Sequence, residues 1–191
     1  MVSFDQRKFG DVADRQAVAT DLVGAHYLAK DIVPKSSVTK EDLPRDEIRD
    51  LIDEYESQTV ESKEELSDPQ KIRKAVVALA NADGGYLLVG VEDSGTVAGI
   101  ETTSGKDPQR VEERLLNFIE DGVAPNSPIR FTQIERINSS HVLIAEIEKA
   151  DEIPYSENGR FYQRRGSESR KLNGVDLRQF VEERHSDLPS E

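Results

Sequence analysis

The stretch Tyr86-Leu87-Leu88-Val89-Gly90-Val91 holds six consecutive uncharged residues in a chain of which 33% are charged. A run of that length and apolarity reads as a short strand buried on both faces, and strands of this kind often carry function at their ends. Its flanks are turn chemistry: Gly84-Gly85 precedes it and Glu92-Asp93-Ser94-Gly95 follows it, closing a tight hairpin with a shorter strand around Thr96 to Ile100.

With 191 residues, the chain has room for one ordinary domain with a core and a terminal extension. The absence of cysteine excludes a disulfide framework, a thiol nucleophile and a Cys-type zinc site. The first 30 residues lack the pattern of a secretory leader and no 18-residue apolar run occurs, so a cytoplasmic location without a membrane partner is the expectation. A net charge of -13 and a pI near 4.8 argue against nucleic acid, because phosphate contacts need Lys and Arg to displace counterions. Salt adaptation is the exception: 38 acids, and Arg at 15 exceeding Lys at 10, fit a halophile-like protein whose surface charge keeps it soluble. In that setting the sign of the whole chain says little about a local site.

Helical spacing over Val12 to Leu28 predicts a helix in an N-terminal extension, residues 1–44, that ends in a proline-containing connection. The main domain is expected over 45–187, with a tail at 188–191. Arg45 to Tyr55 reads as a helix and Val60 to Lys63 as a strand. Asp68-Pro69 and Asp107-Pro108 are start signals for two further helices, each an acidic N-cap followed by proline. Ile129 to Ile137 and His141 to Ile147 alternate as strands, Arg160 to Arg164 is a short strand, and Val175 to Arg184 is a last helix. The order implies an α+β domain, a mixed or antiparallel sheet flanked by helices.

Three features carry candidate chemistry. Glu56 and Glu61 lie about 16 Å apart if the chain between them is extended, and point roughly 140° apart in one helix. A turn at Ser57-Gln58-Thr59 brings them together, and with Asp93 they would make a hard-oxygen site for Mg²⁺ or Mn²⁺. Each acid also has an ordinary reading: Glu56 as a helix-end surface acid, Glu61 as the partner of Lys63, Asp93 as the first residue of a turn. Asn81, Gly84 and Gly85 either leave backbone N–H groups free for a phosphate or form a plain helix-to-strand turn. The segment RFYQRRGSESRK places Arg160, Arg164, Arg165, Arg170 and Lys171 against one acid, Glu168, and interleaves Phe161 and Tyr162. That mixture suits phosphate pairing and base stacking; internal salt bridges are the alternative. His26, His141 and His185 stand alone and read as structural or solvated.

Taken together, Glu56-Ser57-x-x-Val60-Glu61-Ser62-Lys63, Ala78-x-Ala80-Asn81-x-x-Gly84-Gly85 with the strand after it, Gly99, Pro154-Tyr155 and Phe161-Tyr162-x-Arg164-x-Gly166-Ser167 resemble the AlbA-like domain of the Schlafen superfamily. The resemblance spans about residues 45 to 185. It implies a DNA- or RNA-binding module of the kind found fused to helicase-like or winged-helix parts, with Lys63 joining the contact set. Some Schlafens are metal-dependent endoribonucleases acting on tRNA and rRNA, and their catalytic carboxylates match Glu56, Glu61 and Asp93. In that case Mg²⁺ or Mn²⁺ is the implied cofactor, and a homodimer would supply the second copy that the animal nucleases carry in one chain. The family's usual Glu-Phe-Lys stands here as Glu61-Ser62-Lys63. Nucleic-acid binding through the Arg/Lys cluster is the leading reading, nuclease action the second, and a protein-interaction module the third.

The acidic composition predicts that the folded far-UV signal persists in concentrated potassium chloride and decays on dialysis into low salt. Unfolding on transfer to high salt instead would remove the salt-adaptation reading.

Overall fold

The described parts of the computed structural model are residues 42–100, 107–151 and 153–186, which lie within the compact unit Asp42–Glu191. The elements in chain order are α1 (Arg45–Glu54), β1 (Val60–Lys63), α2 (Pro69–Ala80), β2 (Gly85–Val89), α3 (Pro108–Glu120), β3 (Val123–Ala124), β4 (Ile129–Ile137), β5 (Ser140–Ile147), β6 (Ser156–Glu157), β7 (Tyr162–Arg165), β8 (Glu168–Lys171) and α4 (Gly174–Ser186). The expected helix over Val12 to Leu28 and the tail at 188–191 fall outside the described residues. Among the described residues no helix is long and apolar enough to cross a membrane.

Strand β2 sits inside a four-stranded mixed sheet of order β1-β2-β5-β4. It runs parallel to β1, with Glu61 beside Leu87, and antiparallel to β5. Side chains alternate across a strand, so consecutive apolar residues must serve two cores. Leu87 and Val89 enter one cluster with Ile72, Val76 and Leu79 of α2 and Leu115 and Ile119 of α3. Leu88 enters the other, with Ile48, Leu51 and Ile52 of α1. The three residues that end β2, Leu87 to Val89, are fully buried, which accounts for a continuous apolar run where a half-exposed strand would alternate.

The helix signals act as expected. Asp68 accepts hydrogen bonds from the backbone N–H groups of Gln70 (3.0 Å) and Lys71 (3.2 Å), and Asp107 from that of Gln109 (3.1 Å), each with proline at the first helical position. Two expectations change. Thr96 to Ile100 contributes a single bridge, Val97 to Val91, in place of a strand. The expected Arg160 to Arg164 strand forms over Tyr162–Arg165 and pairs with β8, whose residues Glu168-Ser169-Arg170-Lys171 have no apolar alternation to announce a strand.

The turn from α2 into β2 demands glycine. Gly85 has φ +134°, and a Cβ there would stand 2.0 Å from the Thr59 carbonyl oxygen. Gly84, at φ +75°, would press a Cβ to 2.7 Å from the Ile147 carbonyl oxygen. Gly166 also has positive φ, +59°, but nothing lies within 4 Å of its would-be Cβ. Gly85→Ala therefore should lose at least about 2 kcal/mol of stability, combining backbone strain with a clash, whereas Gly166→Ala carries only the smaller strain. Equal urea midpoints for the two variants would refute this account of the turn.

Candidate nucleic-acid interface

Two adjoining segments build the site: the turn that leads into β1, and the β7–β8 hairpin beside it. Ser57 organises the turn, its hydroxyl oxygen accepting from the backbone N–H groups of Thr59 (3.1 Å) and Val60 (3.0 Å). The Ser57 carbonyl accepts from Nε of Arg164 at 2.9 Å. Arg164 also donates from Nη2 to the Val60 carbonyl at 2.9 Å and from Nη1 to Oε2 of Glu61. Gln58 completes the clasp, with its Oε1 accepting from the Gly166 N–H at 2.7 Å and its Nε2 donating to the Arg164 carbonyl at 3.3 Å.

Arg164, expected on a phosphate, is instead an interior residue with 2% exposure. Its fork geometry explains this, because one guanidinium satisfies two backbone carbonyls and a carboxylate along the open edge of β1. Tyr162, expected as a stacking partner, belongs to the core, with Nζ of Lys74 5.5 Å from its ring centroid. Phe161 is half-buried.

The hairpin register separates the remaining cations. Residues directly opposite in an antiparallel ladder share a face. Tyr162 faces Lys171 and Arg164 faces Ser169 on one side, while Gln163 faces Arg170 and Arg165 faces Glu168 on the other. Arg165 and Arg170 are thus exposed on a common face, and Lys171 is exposed on the opposite one. Arg160 is exposed too, with Nη1 3.9 Å from Oε2 of the buried Glu157.

The expected phosphate loop is used by its own fold. Asn81 has φ -77°, outside the left-handed region, and is fully buried. Its Nδ2 donates to the carbonyls of Tyr155 and Tyr162, both at 2.8 Å, and its Oδ1 accepts from the Tyr155 N–H at 2.7 Å. The Gly84 N–H donates to the Leu79 carbonyl at 3.0 Å. The Asn81 to Gly85 segment is a helix-to-strand turn whose asparagine ties Tyr155 to the first residue of β7.

The three carboxylates are not gathered into a metal site: among the described residues no group of three His, Cys, Asp or Glu side chains is arranged to hold an ion. Glu61 has both oxygens engaged, Oε1 by Nζ of Lys63 at 2.5 Å and Oε2 by Arg164. Asp93 lies exposed in the turn after β2. That turn packs against the end of α1, where a Cβ on Gly95 would be 3.4 Å from the Ile52 carbonyl oxygen and 3.2 Å from the Tyr55 ring, so Asp93 and Glu56 sit on neighbouring segments. Glu56, Glu61 and Asp93 as placed do not fit a bound Mg²⁺ or Mn²⁺. Ser62, in the position of the family's usual aromatic, is buried and donates to the Tyr55 carbonyl at 2.7 Å, tying β1 to the end of α1.

Two cations carry no signal in the sequence. Between the start of α2, β1 and the hairpin lies a cavity of about 270 Å³ walled by Lys63, Lys71, Lys74 and Arg164. Ser167 and Ser169 also line it, and among its lining residues the one acid is Glu61. Lys71, Lys74 and Ala75 follow the i, i+3, i+4 spacing of one helical face. The apolar stripe of α2 identifies the helix, whereas this second stripe gains meaning only once β1 and the hairpin stand over it.

The family described as Schlafen, AlbA_2 matches residues 56–173, more than half of the chain. Among solved structures, the DIP2311 protein from Corynebacterium diphtheriae is similar at 21% identity and TM-score 0.49, over 64% of this chain and 23% of that one. The N-terminal domain of a putative ATP-dependent DNA helicase RecG-related protein from Nitrosomonas europaea is similar at 26% identity and TM-score 0.45, over 66% of this chain and 89% of that one. This chain thus spans under a quarter of the first of these structures and most of the second. No curated protein matches.

Arg164→Ala should lower stability by about 3 to 5 kcal/mol, since it strands the buried Glu61 carboxylate, while Arg165→Ala should leave the urea midpoint where it is. A folded, wild-type-like Arg164→Ala protein would show that the interior pairing is dispensable.

Proposed function

Because the chain belongs to the Schlafen AlbA_2 family, we propose that this domain binds nucleic acid, DNA or RNA, through phosphate contacts from the exposed cations of the β7–β8 hairpin. Arg165 and Arg170 form the centre of the contact surface, Lys171 and Arg160 its flanks, and Phe161 offers an aromatic edge for stacking. Lys63 acts indirectly, pairing with Glu61 so that no bare carboxylate faces the strand.

The observation that carries this reading is the concentration of exposed positive charge on one hairpin of a chain with net charge -13. Random placement of 25 cations among 38 acids would intersperse them; here Arg165 and Arg170 share a face with Glu168 as their one acidic neighbour in the ladder. Guanidinium groups suit the task because their planar forks match phosphate oxygens bidentately. Family membership supports the class of ligand, and the local field supports the place where it docks.

The test is fluorescence anisotropy with labelled single-stranded DNA and RNA across a salt series. Arg165→Ala with Arg170→Ala should weaken binding of both. The same change should flatten the slope of log affinity against log salt by about 0.7 for each phosphate that is no longer neutralised. Affinity and slope equal to wild type would take the hairpin out of the interface. Binding by neither protein, at any salt concentration, would remove the nucleic-acid reading itself.

A further inference from the structure

The cavity between α2, β1 and the hairpin holds charge that the protein itself does not use. Glu61 is matched twice over, by Arg164 and by Lys63. Neither Lys71 nor Lys74 is then needed to balance it. Lys74 makes no ion pair among the described residues and lies over the Tyr162 ring, and Lys71 pairs at 4.0 Å with its own helix cap, Asp68, where both side chains are exposed. The hydroxyls of Ser167 and Ser169 line the same space, and neither makes a hydrogen bond within the protein among the described residues. Ser169 lines it because it stands opposite Arg164 in the ladder, on the hairpin face turned toward α2.

We propose that this cavity is a binding site for a phosphate monoester, and that on the nucleic-acid reading, on which this assignment rests, the monoester is the terminal phosphate of the bound strand. Charge decides between a monoester and an internal diester. A monoester carries about -1.5 to -2 at neutral pH and three terminal oxygens, whereas each backbone phosphate carries one charge. An ammonium without an ion pair on Lys74, a second on Lys71 held only at 4.0 Å by its helix cap, and two hydroxyls match the first more closely than the second. Size agrees: about 270 Å³ lies just below the range of roughly 300 to 1,000 Å³ typical of sites for whole small molecules, which suits a phosphate with part of its sugar. The site lies on the hairpin face opposite Arg165 and Arg170, so a strand that passes over the edge of the hairpin can end there.

The decisive experiment compares short single strands that end in a 5′-phosphate, a 3′-phosphate or a hydroxyl, each labelled at the other end, on the wild type, K71Q/K74Q and R165A/R170A. The wild type should bind one phosphorylated end about tenfold more tightly than the hydroxyl end, the size of one added charge-assisted hydrogen bond. K71Q/K74Q should bring that ratio to about one, while R165A/R170A should weaken every strand and keep the ratio. Equal wild-type affinity for all ends overturns the monoester site while leaving the nucleic-acid reading in place. A preference that survives in K71Q/K74Q overturns the assignment to this cavity. If no strand binds, the nucleic-acid reading falls, and a titration with adenosine 5′-monophosphate against adenosine decides the cavity on its own. Monophosphate-specific NMR shifts that disappear in K71Q/K74Q would then keep the site as one for free nucleotides, and their absence from the wild type would overturn it.

Discussion

Strand β2 has no face to offer to water. Leu87 and Val89 point into the layer made by α2 and α3, Leu88 into the layer made by α1, and the elements around them keep those three residues dry. Burial of side chains of this size contributes about 1.5 to 3 kcal/mol each, which is large beside the net stability of an ordinary domain. The same demand accounts for the glycines ahead of the strand. Tyr86 donates its N–H to the Thr59 carbonyl at 2.8 Å, and the chain can come that close only where Gly85 has no side chain to intrude. A double glycine that looks like a phosphate loop in isolation is, in place, the condition for docking β2 against the segment before β1.

That docking creates a second problem, which Arg164 solves. β1 is an edge of the sheet, so its carbonyls need partners, and its Glu61 is buried. A guanidinium that reaches Ser57, Val60 and Glu61 at once satisfies all three, and joins the β7–β8 hairpin to the sheet without a strand ladder between them. Arginine suits such a junction better than lysine because its donors are fixed in one plane. The consequence for charge is a division of labour along four consecutive residues: Tyr162 and Arg164 serve the interior, Gln163 and Arg165 the opposite face. The hairpin is therefore fastened by one arginine and presents another.

The helices and central strands were legible because their signals are local: proline after an acidic cap, apolar spacing in Ile48, Leu51 and Ile52, continuous apolarity in β2. β8 was not, since its four polar residues become a strand only through pairing with β7. The basic segment was legible as a cluster of charge but not as separate roles, because alternation between faces has meaning only when one face is known to be covered. Asn81 escaped for a related reason. A helix-end asparagine commonly adopts a left-handed conformation, and nothing local announces that Tyr155 and Tyr162, more than 70 residues on, bring their carbonyls to its amide.

By itself the sequence determined what near neighbours decide: the α+β order of elements, the burial of β2, the capped starts of α2 and α3, and the excess of positive charge between Arg160 and Lys171. Tertiary structure decided which charges are free. Arg164 and Lys63 are consumed by Glu61, and Lys74 is left without an ion pair among the described residues beside a cavity that Lys71 also lines, through contacts that the fold and not the local chain brings about. Hydrophobic periodicity is written into a single segment, but the pairing of a charge depends on what the fold places within about 4 Å of it, and no segment carries that information alone.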